Sequence, residues 1–146
     1  MQTNAFTICI VLSADIGHTL PEVFMPHSFS QRIAPYVKAE LANAALARLA
    51  GDTRQEFAYL ERAHVLGQAA TYWHVKVHML MLLWAYRNRS VKEALGQVLR
   101  IFGAAGKTAF GLVPQGNTGG VNVSPFKSLP VAPELAALIQ QARSGL

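Results

Sequence analysis

Three interruptions in an otherwise helical pattern constrain this chain more than any other feature. Gly51-Asp52, Gly67 and Ser90 cut residues 30–102 into four segments whose apolar residues recur every three to four positions. In the first, Ile33, Tyr36 or Val37, Leu41, Ala44 or Ala45 and Leu46 mark one face, and the Ala-rich run to Ala50 favours helix. Pro35 is tolerated in a first helical turn, so this helix is predicted to begin close to it. Gly51 suits the left-handed position after a helix and Asp52 the next N-cap, with Gln55 three residues on as a capping-box partner.

A second helix is predicted over Thr53 to Leu66, with Phe57, Leu60, Ala63 and His64 inward and Arg54, Glu61 and Arg62 outward. The third, about Ala70 to Tyr86, is apolar nearly all round. It carries Trp73, Val77, Leu80 and Trp84 on one stripe and His74, His78, Met81 and Ala85 on the next, so it belongs in the middle of a bundle. Ser90 and Glu93 have the spacing of a capping box for a fourth helix, Val91 to Phe102, with Leu95, Val98, Leu99 and Phe102 inward. After Ala105 the period fades. GLVPQGNTGGVNVSPFKSLPVAP reads as an extended, turn-rich segment anchored by Val113, Val121, Val123, Phe126 and Leu129. Pro133-Glu134 opens a last short helix to about Arg143. The fold class that follows is all-α: two stacked antiparallel helical hairpins, a wrapped Gly/Pro-rich segment and a terminal helix.

The 146 residues fit one domain, and 51% hydrophobic against 14% charged residues excludes a disordered chain. A single cysteine, Cys9, excludes a disulfide framework and a cysteine-based zinc site. Residues 5–14, AFTICIVLSA, have the length of a signal-peptide core, but no Lys or Arg precedes them and no A-x-A site follows. The expectation is therefore an N-terminal extension, residues 1–24, either loosely attached or read from an early start codon. A single helical domain from Met25 would follow, in the cytoplasm. Neither residues 5–14 nor the stretch Val77 to Tyr86 is long enough to span a membrane.

Net charge is +5, and it is concentrated: residues 68–132 hold seven basic groups against Glu93 alone. Arg87, Arg89 and Lys92 cluster, which admits nucleic-acid association, although no nucleic-acid module accompanies them. GAAGKT, Gly103 to Thr108, is not a phosphate-binding loop. Ile101 stands where the motif needs glycine, and a helix rather than a strand precedes it. Gly103 and Gly106 are expected to unwind the fourth helix, leaving Lys107 at its C-terminal end. QGNTGGVN, Gln115 to Asn122, reads either as an anion-binding nest or as tight turns with positive φ at Gly116, Gly119 or Gly120.

The histidines carry the sharpest chemistry. His74 and His78 stand four residues apart on one helix face, with Cβ atoms about 6 Å apart. The short Gly67–Ala69 connection brings His64 to the same level of the hairpin. Three imidazoles can hold zinc, copper or nickel, and leave a fourth position for water, a ligand or Met81. The same three rings can instead be core histidines tied to Tyr59, Tyr72, Gln68 or a backbone carbonyl. Between His74 and His78 stand Val75, Lys76 and Val77, so the glutamate of a zinc-hydrolase helix is missing and no general base is visible. No Ser-His-Asp set is available either.

The first hairpin resembles a tetratricopeptide unit, with Ala44, Gly51 and Ala63 at its small-residue positions. It departs from that pattern at Glu56. From about Arg32 to Arg143 the chain resembles the bacterial domain-of-unknown-function family 3703. The segments that carry the likeness are ERAHVLGQ (Glu61 to Gln68), His74 and His78, LGQVLR (Leu95 to Arg100) and VPQGNTGGVNVSPF (Val113 to Phe126). The resemblance implies no activity. The functional expectation is a small non-enzymatic protein binding a divalent transition metal through His64, His74 and His78. The alternatives are a tetratricopeptide-like module for a protein partner, and a basic nucleic-acid-associated protein.

Overall fold

The computed structural model of the chain describes residues 28–109 and 113–145. The predicted extension, Cys9 and the Met25 start lie outside them. Five helices follow one another: α1 (Phe29–Leu49), α2 (Thr53–Gly67), α3 (Thr71–Arg87), α4 (Val91–Ala109) and α5 (Pro133–Ser144). Helices α1 and α2 form one hairpin and α3 and α4 a second. The hairpins join through α2 against α3, and α5 returns onto α1 and α2. Among the described residues there is no strand, and no helix is long and apolar enough to cross a membrane.

The predicted breaks stand where the pattern places them. Gly51 has φ +76°, and Asp52 accepts the Gln55 N–H at 2.9 Å. Gly67 closes α2, and Pro133 sits in the first turn of α5. Between the helices lies a core of Ile33, Val37, Leu60, Ala63, Leu66, Trp73, Val77 and Met81.

Several expectations need correction. Helix α1 begins six residues before Pro35. Ser28 and Gln31 form a full capping box, and Trp73 donates its indole N–H to Ser30 O at 3.0 Å, so caps and packing fix the start and Pro35 lies inside the helix. Helix α3 is not enclosed on all sides, because Tyr72, Met79, Leu83 and Tyr86 are exposed.

Helix α4 runs seven residues beyond Phe102, through Gly103 and Gly106. Its apolar face also points outward: Leu95 is 65% exposed, Leu99 75% and Phe102 76%, with Val98 exposed beside them. The inward face is Glu93, Gln97, Arg100 and Ala104, spaced four, three and four apart. The Ser90 N–H donates to Ala85 O, while Glu93 turns to Gln97 and to the Val121 N–H, so the capping box is not formed.

In the wrapped segment, Val113, Val121, Val123 and Leu129 are half-buried, but Phe126 is exposed. Arg62, expected on an outer face, bridges Glu40 and Glu134 at 2.9 Å each, tying α2 to α1 and α5. Glu56, where a tetratricopeptide unit would have a small residue, is buried and meets Arg87 of α3 at 2.5 Å.

Candidate metal centre

His64, His74 and His78 are all buried at one level between α2 and α3. Their ring centroids lie 4.6–4.9 Å apart, and one nitrogen from each falls within 4.8 Å of the other two. The reason is local. Gly67 lets the α2–α3 connection tighten, since a Cβ there would stand 2.8 Å from Cβ of Trp73. His64, one turn before the end of α2, therefore faces the first turns of α3, where four-residue spacing stacks His74 above His78.

The hydrogen bonds fix the state of two rings. Nδ1 of His64 lies 2.8 Å from Asn117 O, a carbonyl that only accepts, so this nitrogen carries the proton and donates. Nδ1 of His78 lies 2.7 Å from Oε1 of Gln97. The Gln97 amide has one possible orientation, because its nitrogen donates to Glu93 at 2.6 Å and to Gly119 O at 2.9 Å. His78 therefore also donates through Nδ1. Both Nε2 atoms are left with lone pairs, and they face each other at 3.2 Å. No hydrogen bond joins two such neutral rings, and each offers its lone pair as a possible ligand.

Protonating one ring is the poorer solution. Burial, and next the neighbouring imidazoles, hold His64 well below the ordinary histidine value. Burial followed by His78 lowers His74 to about 3; burial lowers His78 to about 4, against the opposing bond from Gln97. The three nitrogens could hold a metal ion instead. Two nitrogens on one tetrahedral zinc at 2.0–2.1 Å stand about 3.3 Å apart. Histidine ligands to metals ordinarily donate their second N–H to a carbonyl or a carboxylate-backed group. Asn117 O supplies this for His64, and the Glu93–Gln97 relay supplies it for His78.

The wrapped segment locks the arrangement from above. Asn117 donates to Ser124 O and Lys127 O at 2.8 Å each and accepts the Gly119 N–H at 3.0 Å, which holds its own carbonyl toward His64. Of the three glycines proposed for positive φ, Gly116 (+71°) and Gly119 (+85°) adopt it and Gly120 does not. Arg100 donates to Gly120 O at 3.0 Å and to Val123 O, pinning the segment to α4. The predicted trio thus comes together, while its expected tyrosine partners do not take part. Met81 is buried in the core and does not line the cavity beside the histidines. Sequence reasoning missed Glu93, Gln97, Arg100 and Asn117. The signal for the first three was a polar stripe on α4 opposite its apolar one.

Above the histidines the structure opens into a cavity of about 390 Å³ between α4 and the wrapped segment. Every segment that carries the family resemblance contributes to this region: His64, then His74 and His78, then Gln97 and Arg100, then Asn117 and Gly119. No curated protein and no solved structure matches the chain. A family model does match, over residues 31–139, and its description is a protein of unknown function. The chain belongs to the domain-of-unknown-function family 3703.

Proposed function

We propose that this protein binds one divalent transition-metal ion, zinc, copper or nickel, through His64, His74 and His78. The observation that carries the reading is the pair of Nε2 lone pairs at 3.2 Å whose Nδ1 protons are already committed elsewhere. Imidazole suits all three metals. The fourth position would face the cavity. The reading is of a binding protein rather than a hydrolase, because among the described residues no aspartate or glutamate lines the cavity to act as general base.

Elemental analysis of protein purified without a histidine tag tests it, with a His74→Ala/His78→Ala control. Near one metal per chain, lost in the control, is the expected result. Metal-free protein should gain thermal stability with zinc, copper or nickel, by about 2.7 kcal/mol at a hundred times the Kd. Metal-free protein whose melting none of the three ions changes would overturn the reading.

A second reading, of an interaction module, rests on the exposed stripe of α4. Val91, Leu95, Val98 and Phe102 are spaced four, three and four, the seam of a two-helix contact, and all are exposed. Such a seam suits α4 of a second copy. Sedimentation should then show a dimer that Leu95→Glu/Phe102→Glu converts to monomer; a wild-type monomer at high micromolar concentration removes this reading. Nucleic-acid binding gains no support, since Arg87 spends its charge on Glu56.

A further inference from the structure

We propose that the cavity over the three histidines is a binding site for a small organic monocarboxylate with a hydrocarbon body, its carboxylate shared between the open position of the metal and the Arg100 guanidinium. This inference rests on the metal reading above.

A volume of about 390 Å³ lies in the range of small-molecule sites. The three imidazoles form one part of the lining and Arg100 another, while Leu99, Val113, Val121 and Phe126 make much of the rest apolar. Among the described residues no carboxylate lines the cavity. A divalent ion on neutral imidazoles, beside a guanidinium, places three positive charges at a half-buried space, and Glu93, which acts on Arg100 from behind Gln97, offsets only one of them. Uncompensated charge in such a space is costly, so an anion from solution completes the site.

Its class follows from the donors. Both bonds that anchor Arg100 use Nη2, to Gly120 O and Val123 O, which orients the group and leaves Nε and Nη1 uncommitted among the described residues. One open metal position and one guanidinium match the two oxygens of a single carboxylate. Phosphate or a polyanion would need further donors that the apolar walls do not offer. Those walls favour a ligand that brings its own hydrocarbon, and each buried methylene should tighten binding roughly fourfold.

Cobalt(II) loaded in place of zinc gives a visible spectrum that reports its own coordination sphere. Cobalt protein would be titrated with acetate, butyrate and benzoate. The expected result is a saturable spectral change with each, butyrate and benzoate binding at least tenfold tighter than acetate. Arg100→Gln should weaken all three tenfold or more at unchanged cobalt stoichiometry. Leu99→Ser, at the exposed mouth, should narrow the gap between butyrate and acetate while leaving acetate alone. Should Arg100→Gln lose cobalt or its helical circular dichroism, Leu99→Ser decides the matter. One cobalt per chain with a spectrum that none of the anions moves, or equal affinity for acetate and butyrate, overturns this proposal and leaves the metal site standing. Failure to bind cobalt, together with melting that zinc, copper and nickel all leave unchanged, overturns both.

Discussion

A Cβ at Gly119 would lie 2.8 Å from Cγ and Cδ2 of His64. The α2 ring and the wrapped segment, 55 positions apart in the chain, therefore meet with no room for a methyl group. Gly119 also has φ +85°, where an L side chain is strained. Gly119→Ala should destabilise the protein by about 1–3 kcal/mol from the backbone alone. It should also push His64 off its line to His78 and weaken zinc binding at least tenfold. Gly106→Ala is the contrast. It lies inside α4 with nothing within 4 Å of the added carbon, and should stabilise by about 0.5–1 kcal/mol. Urea denaturation of the two variants, with a zinc titration of each, checks both signs.

Gln97 is fully buried and holds three partners at once: His78, Glu93 and Gly119 O. Gln97→Leu keeps the volume and removes all three bonds. The His78 N–H and the Glu93 carboxylate lose their common partner, at a cost of about 1–3 kcal/mol per buried group left unsatisfied. His78 is also freed to move its proton to Nε2, the atom the metal needs. Zinc affinity should fall about 10–100-fold, as for other groups that orient a metal-bound histidine. An affinity unchanged from wild type, measured by competition with a chromophoric chelator, would place the ion elsewhere.

Acid should destabilise the metal-free protein in a defined window. An unfolded histidine takes its proton near pH 6.5, whereas in the folded protein His78 does so at about 4 and His74 at about 3, with His64 also well below normal. Between these limits the unfolded chain binds more protons, so stability falls as pH falls. The slope approaches about 1.4 kcal/mol per pH unit for each histidine. Above pH 6.5 these groups contribute no slope. Urea midpoints at pH 8, 7, 6 and 5 should be level at first and then drop, and the drop should shrink in His74→Phe. A flat profile to pH 5 would mean that the rings are not held neutral.

The helices were legible because their ends are written in local chemistry: Gly51, Asp52, Gly67 and Pro133 act on their own backbone. The histidine trio was legible for a similar reason. Four-residue spacing and a short hairpin turn leave little geometric freedom. What lay beyond reach depends on partners distant in sequence. Pro35 marks a first turn only if nothing upstream caps the helix, and Ser28 with Gln31 does so. The direction of α4 was misread because its apolar stripe obeys the ordinary rule for an inward face, while Glu93, Gln97 and Arg100 satisfy one another and the wrapped segment inside. A polar interior face is recognised only once its partners are known, and those of Gln97 include His78, 19 residues away, and Gly119, 22 residues away.

Glu56 and Arg87 give a final test of how the hairpins are joined. The carboxylate is buried, while the guanidinium side chain is 38% exposed. Removing one partner is therefore not equivalent to removing the other. Arg87→Met leaves a buried carboxylate without its charge partner. The full penalty of a buried pair, about 3–5 kcal/mol, is reduced here because water reaches the arginine side, and about 1–3 kcal/mol is expected. Glu56→Ala, the small residue that a tetratricopeptide pattern would place there, leaves the arginine free to turn into solvent and should cost about 1 kcal/mol or less. The double variant should resemble Glu56→Ala rather than the sum of the two. Urea denaturation of the three proteins reads this directly: if Glu56→Ala proves the more damaging single change, the α2–α3 joint depends on the glutamate's packing, and the ion pair is incidental.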